Sequence, residues 1–173
     1  MRGLAIALGV LALIGGSFAA ATAQPVAIQL GKAIGPIEIG MPLDRARTVM
    51  EGFGTVEEVD TPTARGFCNP DSGVGVCAFD RWQVLGLNTP GTVAYVITDD
   101  ARFATESGGH KVGQPLLEFL RTFGLYNGGQ GAILRWDGRG LAVEVGPAES
   151  GIAVRIIGVF TPRAVSAMAP AAR

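Results

Sequence analysis

The sequence has very few of the side chains that usually carry catalysis or bind metals. Among its 173 residues there are one histidine, His110, and two cysteines, Cys68 and Cys77. A structural zinc site takes four Cys or His ligands, so these three residues are too few. The sequence also contains no P-loop, no His-Glu-x-x-His pair and no Asp-rich calcium loop. We therefore predict a protein that uses no metal and no cofactor.

An excess of one charge is also lacking. Lys and Arg number 14, Asp and Glu number 15, and the two signs are interspersed along the chain. Proteins that bind nucleic acid or an anionic membrane surface concentrate positive charge on one face or segment. The composition therefore predicts neither kind of partner.

A long apolar run occurs only at the N-terminus. Residues 4–14 are apolar, follow the single charge of Arg2 and precede the small residues Ala21-Thr22-Ala23. The run is shorter than the about 20 residues that span a bilayer, but it fits the apolar part of a secretory signal peptide. We predict a signal peptide over residues 1–23, cleaved near Ala23, and a periplasmic or secreted protein without a membrane span. An uncleaved anchor or a buried N-terminal helix is the alternative.

The two cysteines close a loop rich in Pro, Asp and Gly. In an exported protein, Cys68 and Cys77 are expected to form a disulfide, whereas in the cytosol two free thiols would be the better interpretation. A disulfide that closes so short a loop stabilises the folded state by about 2 to 3 kcal/mol. We therefore predict a structural disulfide and no redox centre.

Two stretches of the chain follow the same pattern. Residues 37–54 and 110–124 both contain an apolar residue, Gly, any residue, Pro and Leu, and then a helical pattern that ends in Phe-Gly. Proline suits the first turn of a helix, and glycine suits the position after its end. The pattern predicts one helix after Pro42 and another after Pro115.

Strand-like segments follow each predicted helix. They are rich in β-branched and aromatic residues and are bounded by Gly, Pro, Asn and Asp, which is typical of antiparallel meanders. The predicted strands are residues 55–59, 76–87, 92–98, 132–136, 141–145 and 152–160. The sequence thus predicts one α+β domain over residues 24–160, with repeats at about 34–100 and 107–160 that each combine a helix and an antiparallel meander. The Ala- and Pro-rich residues 161–173 are predicted to be a flexible tail.

The repeated helix start carries a family resemblance. Gly40-Met41-Pro42-Leu43, followed by a helix and strands and given twice at a spacing of about 70 to 75 residues, resembles the tandem-repeat domain of β-lactamase inhibitor proteins. It is also similar to the SmpA/OmlA-type domains of outer-membrane assembly lipoproteins. The resemblance implies a helical layer packed on an antiparallel sheet, and a role in binding another protein. The chain differs from these families in having one cysteine pair instead of one per repeat, and in lacking a lipobox.

No catalytic constellation is recognisable in the sequence. His110 follows Gly108-Gly109, and the sequence has no Gly-x-Ser-x-Gly elbow that would present a nucleophile to it. We therefore interpret His110 as an exposed imidazole. Asp99 and Asp100 are adjacent in a predicted strand end, so their side chains point to opposite faces and do not converge.

The candidate binding residues lie in the strands. Alternation along the last three strands places Arg135, Glu144 and Arg155 on the face opposite the core, with Glu144 between the two arginines if the strands pair in order. Trp82 and Tyr95 of the first repeat are expected to join this platform, because Arg, Trp and Tyr are common interface anchors. A purely structural ladder of cross-strand ion pairs is the alternative. The predicted core-facing residues are Leu134, Trp136, Leu141, Val143, Val145, Val154 and Ile156.

These patterns favour a binding role. We predict an exported, non-catalytic protein-binding or assembly module whose partner is another envelope or secreted protein. The alternative is a small-ligand carrier or hydrolase with a site between the repeats. A carrier would have a large apolar pocket, whereas a binder would expose an apolar patch with Arg and aromatic side chains.

Overall fold

A computed structural model describes residues 26–69, 75–149 and 151–163. The predicted signal peptide lies outside the described residues, as does the predicted tail beyond residue 163. The described residues form thirteen β-strands and two α-helices. No helix among them is long and apolar enough to cross a membrane.

The elements have the following bounds. In chain order the strands are β1 (Val26–Gln29), β2 (Ala33–Ile34), β3 (Ile37–Glu38), β4 (Glu57–Asp60), β5 (Ala64–Asn69), β6 (Val76–Trp82), β7 (Leu87–Asn88), β8 (Tyr95–Thr98), β9 (Phe103–Thr105), β10 (Gly128–Gln130), β11 (Ile133–Trp136), β12 (Leu141–Ala148) and β13 (Gly151–Phe160). The helices are α1 (Leu43–Glu51) and α2 (Leu116–Phe123), and a short 3-10 turn follows each of Trp82 and Trp136.

The strands form one large and one small sheet. The large sheet has nine antiparallel strands in the order β10-β11-β12-β13-β8-β6-β5-β4, with β7 paired to β6. The small sheet has four strands in the order β3-β2-β1-β9, and its β1–β9 pair is parallel. Strand β8 pairs with both β6 and β13, so it joins the two halves of the large sheet.

The main core lies between the two sheets. One face of the large sheet, here called the inner face, shares this core with the small sheet and both helices. The buried side chains include Ile28, Ile34 and Phe103 from the small sheet, Ala46 and Met50 from α1, Phe119 and Phe123 from α2, and Ala78, Val96, Leu141, Val143, Val154, Ile157 and Val159 from the large sheet. Because these residues come from every part of the described chain, the two halves of the sequence share one core.

Both helices begin where the sequence predicts. Pro42 and Pro115 are the residues just before them, with nearly identical backbone angles (φ −54° and ψ 133°, φ −57° and ψ 137°). Helix α2 ends at Phe123, as the Phe-Gly pattern indicates. Helix α1 ends earlier, at Glu51, so its predicted end at the Phe-Gly pair of residues 53 and 54 is wrong.

The predicted fold class, a helical layer packed on an antiparallel sheet, is wrong: the fold is mainly β, with two sheets. Helices of nine and eight residues are only about 12 to 14 Å long. The eight strands that lie side by side in the large sheet, in contrast, have seven strand-to-strand spacings, which span about 34 Å. Two such helices cannot cover the sheet. The small sheet, from segments that carry no clear strand pattern, also packs against the inner face.

Candidate functional site

The candidate site lies on the other side of the large sheet, here called the outer face. A second cluster of buried apolar side chains lies there, separate from the main core. Its members are Ala64, Phe79, Leu85, Leu87, Ala94, Tyr95, Ala142 and Phe160, and partly buried side chains of Val59, Cys68, Cys77, Trp82, Ile97 and Ile133 pack against them. Strand alternation explains this, because residues next to each other in a strand point to opposite faces. The outer face is therefore apolar as well, but the residues that the structure describes cover only part of it.

Aromatic rings cover one end of the outer face. The Trp82 ring lies between the rings of Phe79 and Tyr95, with centroid distances of 4.6 and 5.6 Å. The Tyr95 and Phe160 rings are 6.5 Å apart, and the Arg163 guanidinium lies over the Phe160 ring at 5.7 Å. These contacts fix the rings without help from another chain.

Tyr95 occupies its place because residue 158 is glycine. A Cβ atom at Gly158 would lie 2.3 Å from the Tyr95 hydroxyl oxygen and 2.5 Å from its ring. Burial raises the pKa of the Tyr95 phenol, and the negative charge of Glu144 raises it further. Tyr95 therefore stays protonated at neutral pH and is an apolar wall, with no role as a base.

A groove runs along the open part of the outer face. It consists of two adjoining depressions that share Ile97 and Ile156. The larger one has a volume of about 260 Å³ and is lined by Cys68, Asn69, Gly75, Val76, Cys77, Ile97, Thr98, Asp99 and Ile156. The smaller one, of about 50 Å³, is lined by Trp82, Tyr95, Ile97, Ile133, Glu144 and Ile156. The groove therefore extends from the disulfide to the aromatic end.

The predicted disulfide between Cys68 and Cys77 is confirmed. The two residues are directly opposite each other in the β5–β6 pair, and their Cα atoms are 4.1 Å apart. Both are partly buried and form one wall of the groove. A disulfide fits an oxidising compartment such as the periplasm or the extracellular space.

A β-bulge determines which isoleucine faces the groove. In the β12–β13 pair, Glu144 is opposite Ile156 and Val145 is opposite Val154, so Arg155 is an extra residue without an opposite partner. Such a bulge shifts the alternation by one residue. The prediction that Ile156 faces the main core is therefore wrong, and Ile156 instead lies in the centre of the groove.

The structure brings together three of the five predicted binding residues. Trp82, Tyr95 and Glu144 line the same depression. The strand register places Ile133 and Ile156 on either side of Glu144, in the positions that the predicted arginine ladder would need. The two arginines do not line the groove.

Each of these arginines has a contact elsewhere. Arg135 lies against Gly128 and is 3.5 Å from the carboxylate of Asp137. The Arg155 guanidinium donates a hydrogen bond to the backbone carbonyl of Pro147. The rim of the groove is therefore not rich in arginine.

The charged groups at the groove are acidic. Glu144 and Asp99 line it and are exposed. In the described part of the chain, no ion pair involves either carboxylate. The groove therefore combines an apolar floor with two carboxylates whose charge is not neutralised by a neighbouring cation.

His110 is not exposed, so its interpretation as a surface imidazole is wrong. Only 6% of the residue is accessible to solvent. Its Nε2 atom is 2.7 Å from the Thr122 hydroxyl, and its ring packs against Phe119 and Phe123 at 4.8 and 5.3 Å. These partners belong to α2, so His110 anchors that helix and has no part in the groove.

A buried carboxylate, Asp80, was missed by the sequence analysis. It accepts two hydrogen bonds from the Arg65 guanidinium and one from the backbone N–H of Gly91 at 2.9 Å. Burial raises the pKa of Asp80, but the hydrogen bonds and the charges of Arg65 and Arg81 outweigh it, so the pKa lies below its usual value. Asp80 follows Val76 and Ala78 at intervals of two residues, so strand alternation places it on the same, core-facing side. This was the sequence signal for a buried carboxylate.

A larger depression lies elsewhere, beside the start of α1. Its volume is about 530 Å³, and it is lined by Pro36, Glu38, Ile39, Gly40, Met41, Pro42, Arg45 and Val49. The charged members of this lining are exposed, and none of the five predicted binding residues belongs to it. Among the described residues there is also no group of three or more His, Cys, Asp or Glu that could hold a metal ion.

Comparisons with known proteins give little further information. No protein-family model matches the chain, and no curated protein sequence matches it significantly. Among solved structures it is similar to the uncharacterised protein yfeY from Escherichia coli. The two share 13% sequence identity over 78% of this chain and 98% of that one, with a TM-score of 0.41. A likeness at this level carries no argument about function.

Proposed function

We propose that this chain is an exported, non-catalytic module that binds another envelope or secreted protein through the groove on the outer face. The observation that carries the proposal is an apolar groove on an open sheet face, with Ile97 and Ile156 in its floor. Exposed apolar patches with a polar rim are typical of protein interaction sites. The charge and apolar run of residues 1–23 support export, and the disulfide is consistent with it.

The shape of the groove favours a protein partner over a small ligand. Its larger depression, of about 260 Å³, is smaller than the about 300 to 1,000 Å³ of typical small-molecule sites. It is also an open depression that runs across neighbouring strands, which leaves a partner free to extend beyond it. The groove does lie where β8 meets β13, between the two halves of the sheet. This is the position expected of a carrier with a site between the repeats, so a small apolar ligand is the second candidate.

The polar groups at the groove favour binding over catalysis. Tyr95 is held in its protonated form, and both cysteines are bonded to each other. A nucleophilic mechanism needs an activated nucleophile next to a base. The lone histidine packs on α2, away from this face.

Site-specific photo-crosslinking tests the proposal. A benzoylphenylalanine placed at Ile156 should crosslink one defined protein in the cell envelope or culture fluid of the source organism. The same group at Leu117, which is 56% exposed on α2, is the control and should not capture that protein. Equal capture from both positions would show that the groove is not the binding site.

A charge substitution gives a second test. For this test the benzoylphenylalanine is placed at Ile133, which also lines the groove. Ile156→Glu should abolish the crosslink from that position, because the glutamate places a charge in the apolar floor. Ile152→Glu is a matched control, since Ile152 is 56% exposed on the same strand and does not line the groove. Both variants should melt cooperatively. Release of a bound small molecule on denaturation, with no protein crosslinked, would favour the carrier instead.

A further inference from the structure

We infer that the partner presents an extended segment in which an apolar side chain is flanked by lysine or arginine two residues away on each side. This inference rests on the proposed function and names the chemistry that the groove recognises. Its basis is a row of three residues across the sheet, in which Ile156 stands between two carboxylates.

The strand register defines this row. Glu144 on β12 is directly opposite Ile156 on β13. On the other side of β13, Ile157 is opposite Thr98 of β8, so Asp99 follows at the level of Ile156. Ile156 and Glu144 line one depression of the groove, and Ile156 and Asp99 line the other. With strands about 4.8 Å apart, the two carboxylate-bearing residues are about 10 Å apart.

An extended segment matches this spacing. Side chains on one face of an extended chain recur about every 6.7 Å. If an apolar side chain of this segment lies over Ile156, the side chains two residues before and after it lie about 2 Å beyond the two acidic residues. The flexible side chains of Lys and Arg can bridge that difference. The pattern basic-x-apolar-x-basic thus places an apolar group on the isoleucines and a cation beside each carboxylate.

The charge balance around the groove supports a basic partner. The arginines of the two strands that flank β12 are engaged, Arg135 with Asp137 and Arg155 with the Pro147 carbonyl. Glu144 and Asp99 have no such ion pair within the described residues. Complementary charge across an interface increases the association rate and excludes partners of like charge.

Defined peptides test this inference. The probes are acetylated and amidated peptides of sequence Gly-Lys-Ser-Leu-Ser-Lys-Gly, the same peptide with Glu for both Lys, and the same peptide with Ser for Leu. Binding is followed by NMR of the isoleucine methyl groups in the oxidised protein. The Lys-Leu peptide should shift the methyl signals of Ile97 and Ile156 and leave Ile152 unchanged. Each of the other two peptides should bind at least about fivefold more weakly.

Charge variants supply the matched controls. Glu144→Gln and Asp99→Asn should each weaken the Lys-Leu peptide by about two- to fivefold, and added salt should weaken it in the wild type. Glu38→Gln removes the same charge from an exposed site on β3 and should have no effect. Equal binding of the Lys and Glu peptides, or no effect of either groove variant, would overturn the inference.

The crosslinking experiment separates this inference from the proposed function. If the protein captured at Ile156 contacts it through an acidic or neutral segment, the inference is wrong while docking at the groove stands. If the captured segment is basic and apolar and loses capture in Glu144→Gln, both are supported. If neither a peptide binds nor a protein crosslinks, both are overturned.

Discussion

At the scale of single residues, Asp80 connects three parts of the chain. Its carboxylate accepts hydrogen bonds from Arg65 on β5 and from Gly91 in the turn before β8. The Gly91 carbonyl in turn accepts the backbone N–H of Leu43, the first residue of α1. One buried charge thus links the β5–β6 pair to the start of a helix.

Replacement of Asp80 should therefore destabilise the protein in a pH-dependent way. Asp80→Asn should lower the free energy of unfolding by about 1 to 3 kcal/mol at pH 7. Because the folded state lowers the pKa of Asp80, its stabilisation is complete above the unfolded pKa, about 3.9, and is lost as the pH falls through the folded pKa. Denaturant unfolding at several pH values should show the wild type and variant converging below about pH 4.

A surface variant controls for this prediction. Asp60→Asn removes the partner of Arg81, 3.1 Å away, but the Asp60 side chain is 63% exposed. Exposed ion pairs contribute about 0 to 1 kcal/mol, so this variant should change stability little at any pH. A difference between wild type and Asp80→Asn that stayed constant down to pH 2 would argue against a stabilising carboxylate.

Residue positions could be predicted where strands alternate regularly. Alternation placed Glu144 on the outer face, residue type added Trp82 and Tyr95, and all three line one depression. The same rule failed at Ile156, because the bulge at Arg155 is determined by pairing with β12 and leaves no local pattern. Regular alternation predicts the face to which a side chain points, but the position of a β-bulge depends on the neighbouring strand.

At the scale of elements, the disulfide holds the β5–β6 pair together beside the groove. The double variant Cys68→Ala/Cys77→Ala should lose about 2 to 3 kcal/mol of unfolding free energy, because the cross-link restricts the unfolded chain. Denaturant unfolding with and without a thiol reductant measures this. The wild type should lose a similar amount on reduction, and the variant should not respond. Equal stability of the oxidised and reduced wild type would contradict the prediction.

The elements of the large sheet were easier to predict than those of the small sheet. The last three predicted strands correspond closely to β11, β12 and β13, because each contains β-branched or aromatic residues and lies next to turn residues. The small sheet contains strands of two to four residues, and its β1–β9 pair joins residues more than 70 positions apart. Such short strands form through tertiary contacts and give no periodic signal of their own.

At the scale of the whole molecule, the β8–β13 pair makes the two halves one cooperative unit. Four residue pairs join β8 to β13, and the residues beneath them belong to the shared main core. Local unfolding should start at the outermost strands, which pair on one edge only among the described residues. We therefore expect the slowest amide exchange in β6, β8 and β13, and faster exchange in β4 and β10.

Hydrogen exchange at increasing denaturant tests this expectation. The amides of β8 and β13 should exchange only through global unfolding, with one common free energy. If the strands of the first half exchanged together at a lower free energy than those of the second half, the halves would be separate folding units. The predicted repeats at 34–100 and 107–160 would then also mark independent units of stability.

The bulge described in the β12–β13 hairpin also determines where this chain tolerates a change in length. Arg155 is the residue of β13 with no opposite number, while its neighbours Val154 and Ile156 are both paired. Deleting Arg155 would leave every remaining pair in register, whereas a deletion elsewhere in the strand would turn the side chains beyond it to the opposite face. Residue 155 can therefore be removed without changing the strand register, and a chain one residue shorter at this position would keep the same groove.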